Sequence, residues 1–273
     1  MLTRPPTIIS VVAFDKRGGM PIKYVYLKVL MLALLGAFGH EIADLRRRMV
    51  IHEVVAEGHC KLYRGTLKNR DALLVKTGMG KQRAEGATNF ILERYPITAV
   101  ISLGFAGALA PELRIGDVVI CSPLYCDSRS EVYTSDAHLL SLASQVPEGI
   151  VARSCLGSSV TALHLDASPQ KMHELRETFP AHIVDNESYW IARIASASKI
   201  PFIVIRSISD DMQHGVQPFD QILTADGELI WKKAVPCFLW HPWFLMNVFT
   251  LFRNTRPAKR NMATFISHLV TKI

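Results

Sequence analysis

Short apolar runs bounded by Gly or Pro recur along the chain at 29–38, 72–77, 97–104, 117–122, 182–185 and 201–208. They are rich in Val, Ile and Leu and lack clean polar alternation, which suits strands buried on both faces. Between several of them the pattern becomes helical. Residues 41–49 place Ile42, Leu45 and Met49 on one face, and 82–95 behave similarly. Ser168 and Pro169 offer an N-cap and a proline at the first position of a helix leading to Phe179. A further helix over 187–198 ends before Pro201. Strands alternating with helices predict a three-layer α/β domain.

The two ends of the chain depart from this pattern. Residues 1–30 carry a Pro pair and a basic Gly-Gly break, and read as an extension preceding the fold, which then opens at Met31. A secretory signal is the alternative, since Lys23 and Lys28 precede an apolar core, but no small-residue cleavage site follows. Near the other end, 234–252 is a nineteen-residue apolar run with two Trp and four Phe, interrupted by Pro236, His241 and Pro242. Three readings stand for it. It packs on the core as a helix, lies in a membrane interface, or spans a membrane, for which about 20 apolar residues are needed.

Composition narrows these choices. With 49% hydrophobic and 20% charged residues among 273, the chain can bury enough surface to exclude disorder. Five Cys without a C-x-x-C pair give neither a disulfide framework nor a zinc site and point to a reducing, cytoplasmic compartment. The net charge of +7 is unevenly placed. Seven basic residues and no acid lie in 229–273, so 24 of each sign remain over residues 1–228. Arg253, Arg256, Lys259 and Arg260 directly follow the aromatic run, a combination suited to an anionic membrane surface. The aromatics are not interleaved with the charges, which argues against a nucleic-acid partner.

Candidate chemistry gathers at predicted strand ends, where open α/β sheets bind ligands. Gly36–Glu41 (GAFGHE) leads from a strand into a helix. Gly104 and Gly107 allow a close backbone approach in the following segment. Asp185, Glu187, Arg206, Asp210 and Asp211 end two further strands. The ten His show no metal-ligand spacing. Gly78-Met79-Gly80-Lys81 lacks the Walker spacing and reads as a helix entry, and no G-x-S-x-G elbow is present.

The order G-x-A-G-x-L, I-G-D-V-V, V-D-x-E-S and P-F-x-x-x-R-x-I-S-D, running from Gly104 to Asp210, resembles the purine nucleoside phosphorylase/nucleosidase superfamily. Within it, GAFGHE resembles the start of the methylthioadenosine/S-adenosylhomocysteine nucleosidases. V-D-N-E-S and the aromatic, basic tail are more similar to the hopanoid-associated branch, which removes adenine from adenosylhopane. The resemblance implies a three-layer αβα phosphorylase-like domain with a mixed central sheet over 31–228, followed by a helical extension over 229–273. It implies Asp210 as the acid that protonates the departing purine and Glu41 as the base that positions water. Glu187 would grip the ribose hydroxyls. Asn186, Gly104, Phe105, Ala106, Gly107 and Arg206 complete the substrate site, Arg206 either orienting one of these acids or forming a structural ion pair.

Phe105 stands where relatives often carry Ser or Thr, Asn186 where Met is frequent, and 161–165 aligns poorly with the base-contacting stretch. The implied enzyme needs no metal or cofactor, takes a small nucleoside (lipid-linked or soluble), and forms a homo-oligomer. Hydrolysis and phosphorolysis both remain open, as does a non-catalytic membrane-associated binding module.

Overall fold

The computed structural model describes residues 30–163, 168–210 and 242–273, and side chains in the last segment from Thr255 onward. The expected extension over 1–30 therefore lies outside the described residues apart from Leu30, as do Asp211 and residues 229–241. The elements run β1 (Met31–Gly36), α1 (Gly39–Arg48), β2 (Val50–Glu57), β3 (Cys60–Leu67), β4 (Arg70–Lys76), α2 (Lys81–Arg94), β5 (Ile97–Ala108), β6 (Val118–Cys126), β7 (Arg129–Tyr133), α3 (Ala137–Ser144), β8 (Ser154–Thr161), α4 (Pro169–Thr178), β9 (Ile183–Asp185), α5 (Ser188–Ala197), β10 (Phe202–Asp210) and α6 (Pro242–Val270).

One mixed sheet contains all the described strands. Its order is β10-β6-β8-β9-β5-β1-β4-β3-β2, and β10 also pairs with β5. That extra pairing closes β5, β10, β6, β8 and β9 into a ring. The long strand β5 is its hinge, parallel to β1 over its first half and to β10 further on, and antiparallel to β9 at Gly107 and Ala108. The central strands are buried on both faces, as the unbroken apolar runs predict.

Helices cover both faces of the sheet. One side is packed by Ile42 and Leu45 of α1, Leu139 and Ala143 of α3, and Phe265, Ile266 and Leu269 of α6. The other is packed by Ala84, Ala87 and Ile91 of α2 with Tyr189, Trp190 and Ile191 of α5. The architecture is thus the three-layer αβα arrangement that alternation predicts.

Several elements escape the pattern. Strand β2 is an edge strand that leaves Val50 and Val54 exposed, so its apolar residues mark no core face. The turn from β3 to β4 is the two-residue Lys68-Asn69, both in the left-handed region, as a tight hairpin requires. Strand β8 reads SCLGSSVT, polar in composition, yet its second half is fully buried between β6 and β9.

From Thr255 on, α6 belongs to the core: Met262, Ala263, Phe265, Ile266, Leu269 and Val270 are all buried. Among the described residues no helix is long and apolar enough to cross a membrane. Truncating Phe265 to Ala should cost about 3–5 kcal/mol of stability, the usual range for a fully buried aromatic ring. Urea unfolding measures this, and a stability unchanged from the parent would contradict the packing of α6 described above.

Candidate active site

The site is built outward from the last residue of the GAFGHE turn. Glu41 is the third residue of α1 and only 4% exposed. Its Oε2 accepts the backbone N–H of Phe38 at 2.8 Å, closing the helix N-terminus as a capping carboxylate does. Its Oε1 accepts the backbone N–H of Phe105 at 2.9 Å and so ties α1 to the middle of β5. Burial pushes its pKa up, against the pull of the two N–H donors and Arg206. A methyl group on Gly104 would stand 2.8 Å from the same Oε1, which explains the glycine there.

Arg206, 2% exposed on β10, reaches across β5 at Gly104 to the end of β9. Its Nε donates to Asp185 Oδ2 at 2.9 Å, its Nη2 to Ser102 Oγ at 3.1 Å, and its Nη1 to the carbonyl of Ile205 at 3.2 Å. Asp185 is itself saturated. It accepts Thr161 Oγ1 at 2.7 Å, the backbone N–H of Ser188 at 3.2 Å, and the hydroxyl of Ser188. Of the two roles expected for Arg206, direct contact with one of the three acids or a structural ion pair, the structure has the ion pair. Its ion pair is with Asp185, and its charge acts on Glu41 and Glu187 from a distance. The pairing follows from strand order, since β9 and β10 both adjoin β5.

Glu187 is the N-cap residue of α5, and its Oε1 accepts the backbone N–H of Gly80 at 2.9 Å. Gly80, in the left-handed region, is the N-cap of α2. The Gly78–Lys81 stretch is therefore a helix entry as read, and it also holds a site carboxylate, a role its sequence did not reveal. Glu187 is half-buried yet crowded by protein. Desolvation, then the neighbouring Glu41 and Asp185, push its pKa up to about 8. Its carboxyl therefore holds a proton more tightly than an ordinary glutamate does.

Asp210 ends β10 at a bulge. Ile208 pairs with Ala106 and Asp210 with Gly107, so Ser209 is the extra residue that re-aims the acid. Ser209 Oγ donates to Asp210 Oδ1 at 2.5 Å. A methyl on Gly107 would lie 2.8 Å from Asp210 Oδ2, so this second glycine makes room for a second acid.

The other expected residues are placed as follows. Ala106 is buried between the two glycines. Phe105 is half-buried, with its ring edge-on to His40 at 6.1 Å between centroids. Asn186 donates from Nδ2 to the carbonyl of Ala162 at 2.9 Å, tying the end of β8 to the start of α5. Ser102, Thr161 and Ser188 complete the polar shell, and only their position beside the motifs could have signalled it. In all, Glu41 at the start of α1, Glu187 at the start of α5 and Asp210 at the carboxyl end of β10 carry the three acids, with the buried cation Arg206 acting on the first two.

The phosphorylase superfamily model matches residues 31–228. The chain belongs to the phosphorylase superfamily. A methylthioadenosine/S-adenosylhomocysteine nucleosidase of Tolumonas auensis is 33% identical over 198 residues, covering 66% of this chain and 86% of the relative. One from Anoxybacillus flavithermus is 29% identical over 199 residues, covering 66% and 84%. The Neisseria meningitidis nucleosidase solved with methylthio-immucillin-A superposes with a TM-score of 0.70 at 23% identity, covering 89% of this chain and 99% of that one. Futalosine hydrolase of Helicobacter pylori gives a TM-score of 0.70 at 18% identity, covering 90% and 99%. The fold of this superfamily member is thus that of known nucleosidases, and the enzyme is of the nucleosidase type.

The raised pKa of Glu187 has a thermodynamic consequence for this enzyme. Between pH 4.5, the ordinary value, and about 8, the folded protein holds a proton that the unfolded chain releases. Stability from this group therefore falls as pH rises through that window. Glu187→Gln removes the penalty, so it should raise Tm more at about pH 8.5 than at about pH 5. Thermal unfolding at the two pH values tests this, and an equal or opposite shift would show that Glu187 is ionised at neutral pH.

Proposed function

We propose that this enzyme hydrolyses the N-glycosidic bond of an adenosine-type nucleoside and releases adenine. The observation that carries the reading is the placement of Glu41 and Asp210 opposite two glycines of one strand, Gly104 and Gly107. Cleavage of an N-ribosidic bond leaves negative charge on the departing purine and positive charge on the sugar. Asp210, half-exposed at the strand end, supplies a proton to the purine. Glu41, deeply buried and held by two N–H donors, orients water and keeps lone pairs free to accept its proton. Glu187 grips the ribose hydroxyls. The growing sugar cation favours its ionised form, so its attraction strengthens as the bond breaks, and such differential binding lowers the barrier. Arg206 and Asp185 form the fixed platform beneath these acids.

A lipid-linked adenosine such as adenosylhopane, met at the inner face of a membrane, is the substrate we assign. Supporting it, α6 carries the aromatic run from Pro242 in the same helix that is anchored in the core after Thr255, and Arg256 and Arg260 are exposed beside it. A soluble methylthioadenosine/S-adenosylhomocysteine nucleosidase is the second reading, favoured by the Tolumonas auensis relative. In this account residues 31–228 form the catalytic domain and 229–273 the tail.

Adenine release from methylthioadenosine and from an adenosyl lipid in anionic vesicles, in phosphate-free buffer, separates the two readings. Faster turnover of the lipid supports the first, and turnover of the soluble substrate alone supports the second. Release that requires added phosphate contradicts hydrolysis. Asp210→Asn should lower kcat by roughly 10²–10⁴-fold with little change in KM, and parent-like turnover removes Asp210 from the mechanism.

A further inference from the structure

We propose that helix α6 is a positioning element of the reaction, fixing the carboxylates of Glu41 and Asp210 relative to each other through Thr255 and Asn261. The inference rests on the site reading above. It begins from a regularity in the contacts between α1 and α6. Thr255 Oγ1 lies 3.1 Å from His40 Nε2, Lys259 Nζ lies 3.6 Å from Asp44, and Thr264 Oγ1 accepts Arg48 Nη2 at 2.9 Å. Numbers rise together on both helices in steps of four or five, so the helices run parallel and side by side.

At its site end this seam reaches Glu41. His40 immediately precedes Glu41, and its ring is wedged between Thr255 and the edge of Phe105, whose backbone N–H is one of the two donors to Glu41. Burial, then Lys259, hold its pKa below the usual imidazole value. Thr255 is buried at this contact.

The same helix reaches Asp210 by a second route. Asn261 Nδ2 donates to the carbonyl of Gly116 at 2.8 Å, and the backbone N–H of Gly116 donates to the carbonyl of Ile208 at 2.8 Å. Ile208 is the last regularly paired residue before the bulge that aims Asp210. Gly116 itself adopts a left-handed conformation, with Pro257 and Asn261 packed where a side chain would stand. The two contacts lie six residues apart on α6, about 9 Å along its axis, on either side of Pro257. The acid that serves the leaving group and the acid that serves water therefore share one ruler.

The test is steady-state adenine release from a soluble adenosine substrate, with Tm measured for every variant. Thr255→Val and Asn261→Ala should each lower kcat by about tenfold, as sub-ångström misplacement of a catalytic group does, with KM held within about twofold. Thr255→Ser, which keeps the hydroxyl, should restore parent kcat. Leu269→Ala, in the core part of α6 away from both contacts, should lower Tm and leave kcat unchanged below that Tm. If Thr255→Val does not fold, Asn261→Ala carries the test alone. Parent-like kcat in Thr255→Val and Asn261→Ala, or an equal kcat loss in Leu269→Ala, overturns the proposal. Glu41→Gln and Asp210→Asn in the same assay keep the two claims apart, since parent-like turnover in these would instead overturn the site reading.

Discussion

Arg206 carries a permanent positive charge in a place where water scarcely reaches it, and the ligand end of the sheet is arranged around that fact. A buried guanidinium needs a partner and saturated donors, because removing one side of a buried pair typically costs about 3–5 kcal/mol. Asp185 provides the partner, and Thr161, Ser188 and Ser102 fill the remaining hydrogen-bond positions. One cation then stands near three carboxyl groups, of which Asp185 uses most of its charge. Glu41 and Glu187 share what remains, and burial pushes both of their pKa values up. The site therefore holds its protons more tightly than exposed carboxyls would. Developing positive charge on a sugar relieves that condition.

Geometry, too, follows from the backbone beneath the acids. Along strand β5, the absence of side chains at Gly104 and Gly107, three residues apart, leaves two places where a carboxylate lies within 3 Å of a would-be methyl. Glu41 takes one because α1 begins there, and Asp210 takes the other because a bulge on β10 shifts its register by one residue. Neither acid is held by its own rotamer alone. Glu41 is fixed by a main-chain N–H of β5, and Asp210 by the Ser209 hydroxyl beside it.

Much of this was legible in the sequence, for identifiable reasons. The buried strands announce themselves as apolar runs, and the glycines and acids sit in motifs whose order resembles one superfamily. What was hidden depends on partners distant in sequence. Arg206 was visible as a site residue, but its partner Asp185 is decided by strand adjacency, which periodicity does not encode. Gly80 looked like an ordinary helix entry because nothing local says that Glu187 will lie above it. Strand β8 was missed because Ser and Gly dominate it, and β2 because an exposed edge strand has no apolar face to display. In the C-terminal segment the aromatic run drew the eye, whereas Met262, Phe265, Ile266 and Leu269, at helical spacing, mark the half that packs into the core.

The central claim is that the acids around Arg206 bring water, and not phosphate, to the sugar of a nucleoside. Turnover in ¹⁸O-labelled water with phosphate also present tests it directly, by mass spectrometry of the sugar product. Hydrolysis at the anomeric carbon predicts one ¹⁸O atom in the free sugar for each adenine released, once exchange is trapped by rapid reduction. A phosphorylated sugar without label would contradict the account, and would leave Glu41 a structural cap in place of the residue that positions the nucleophile.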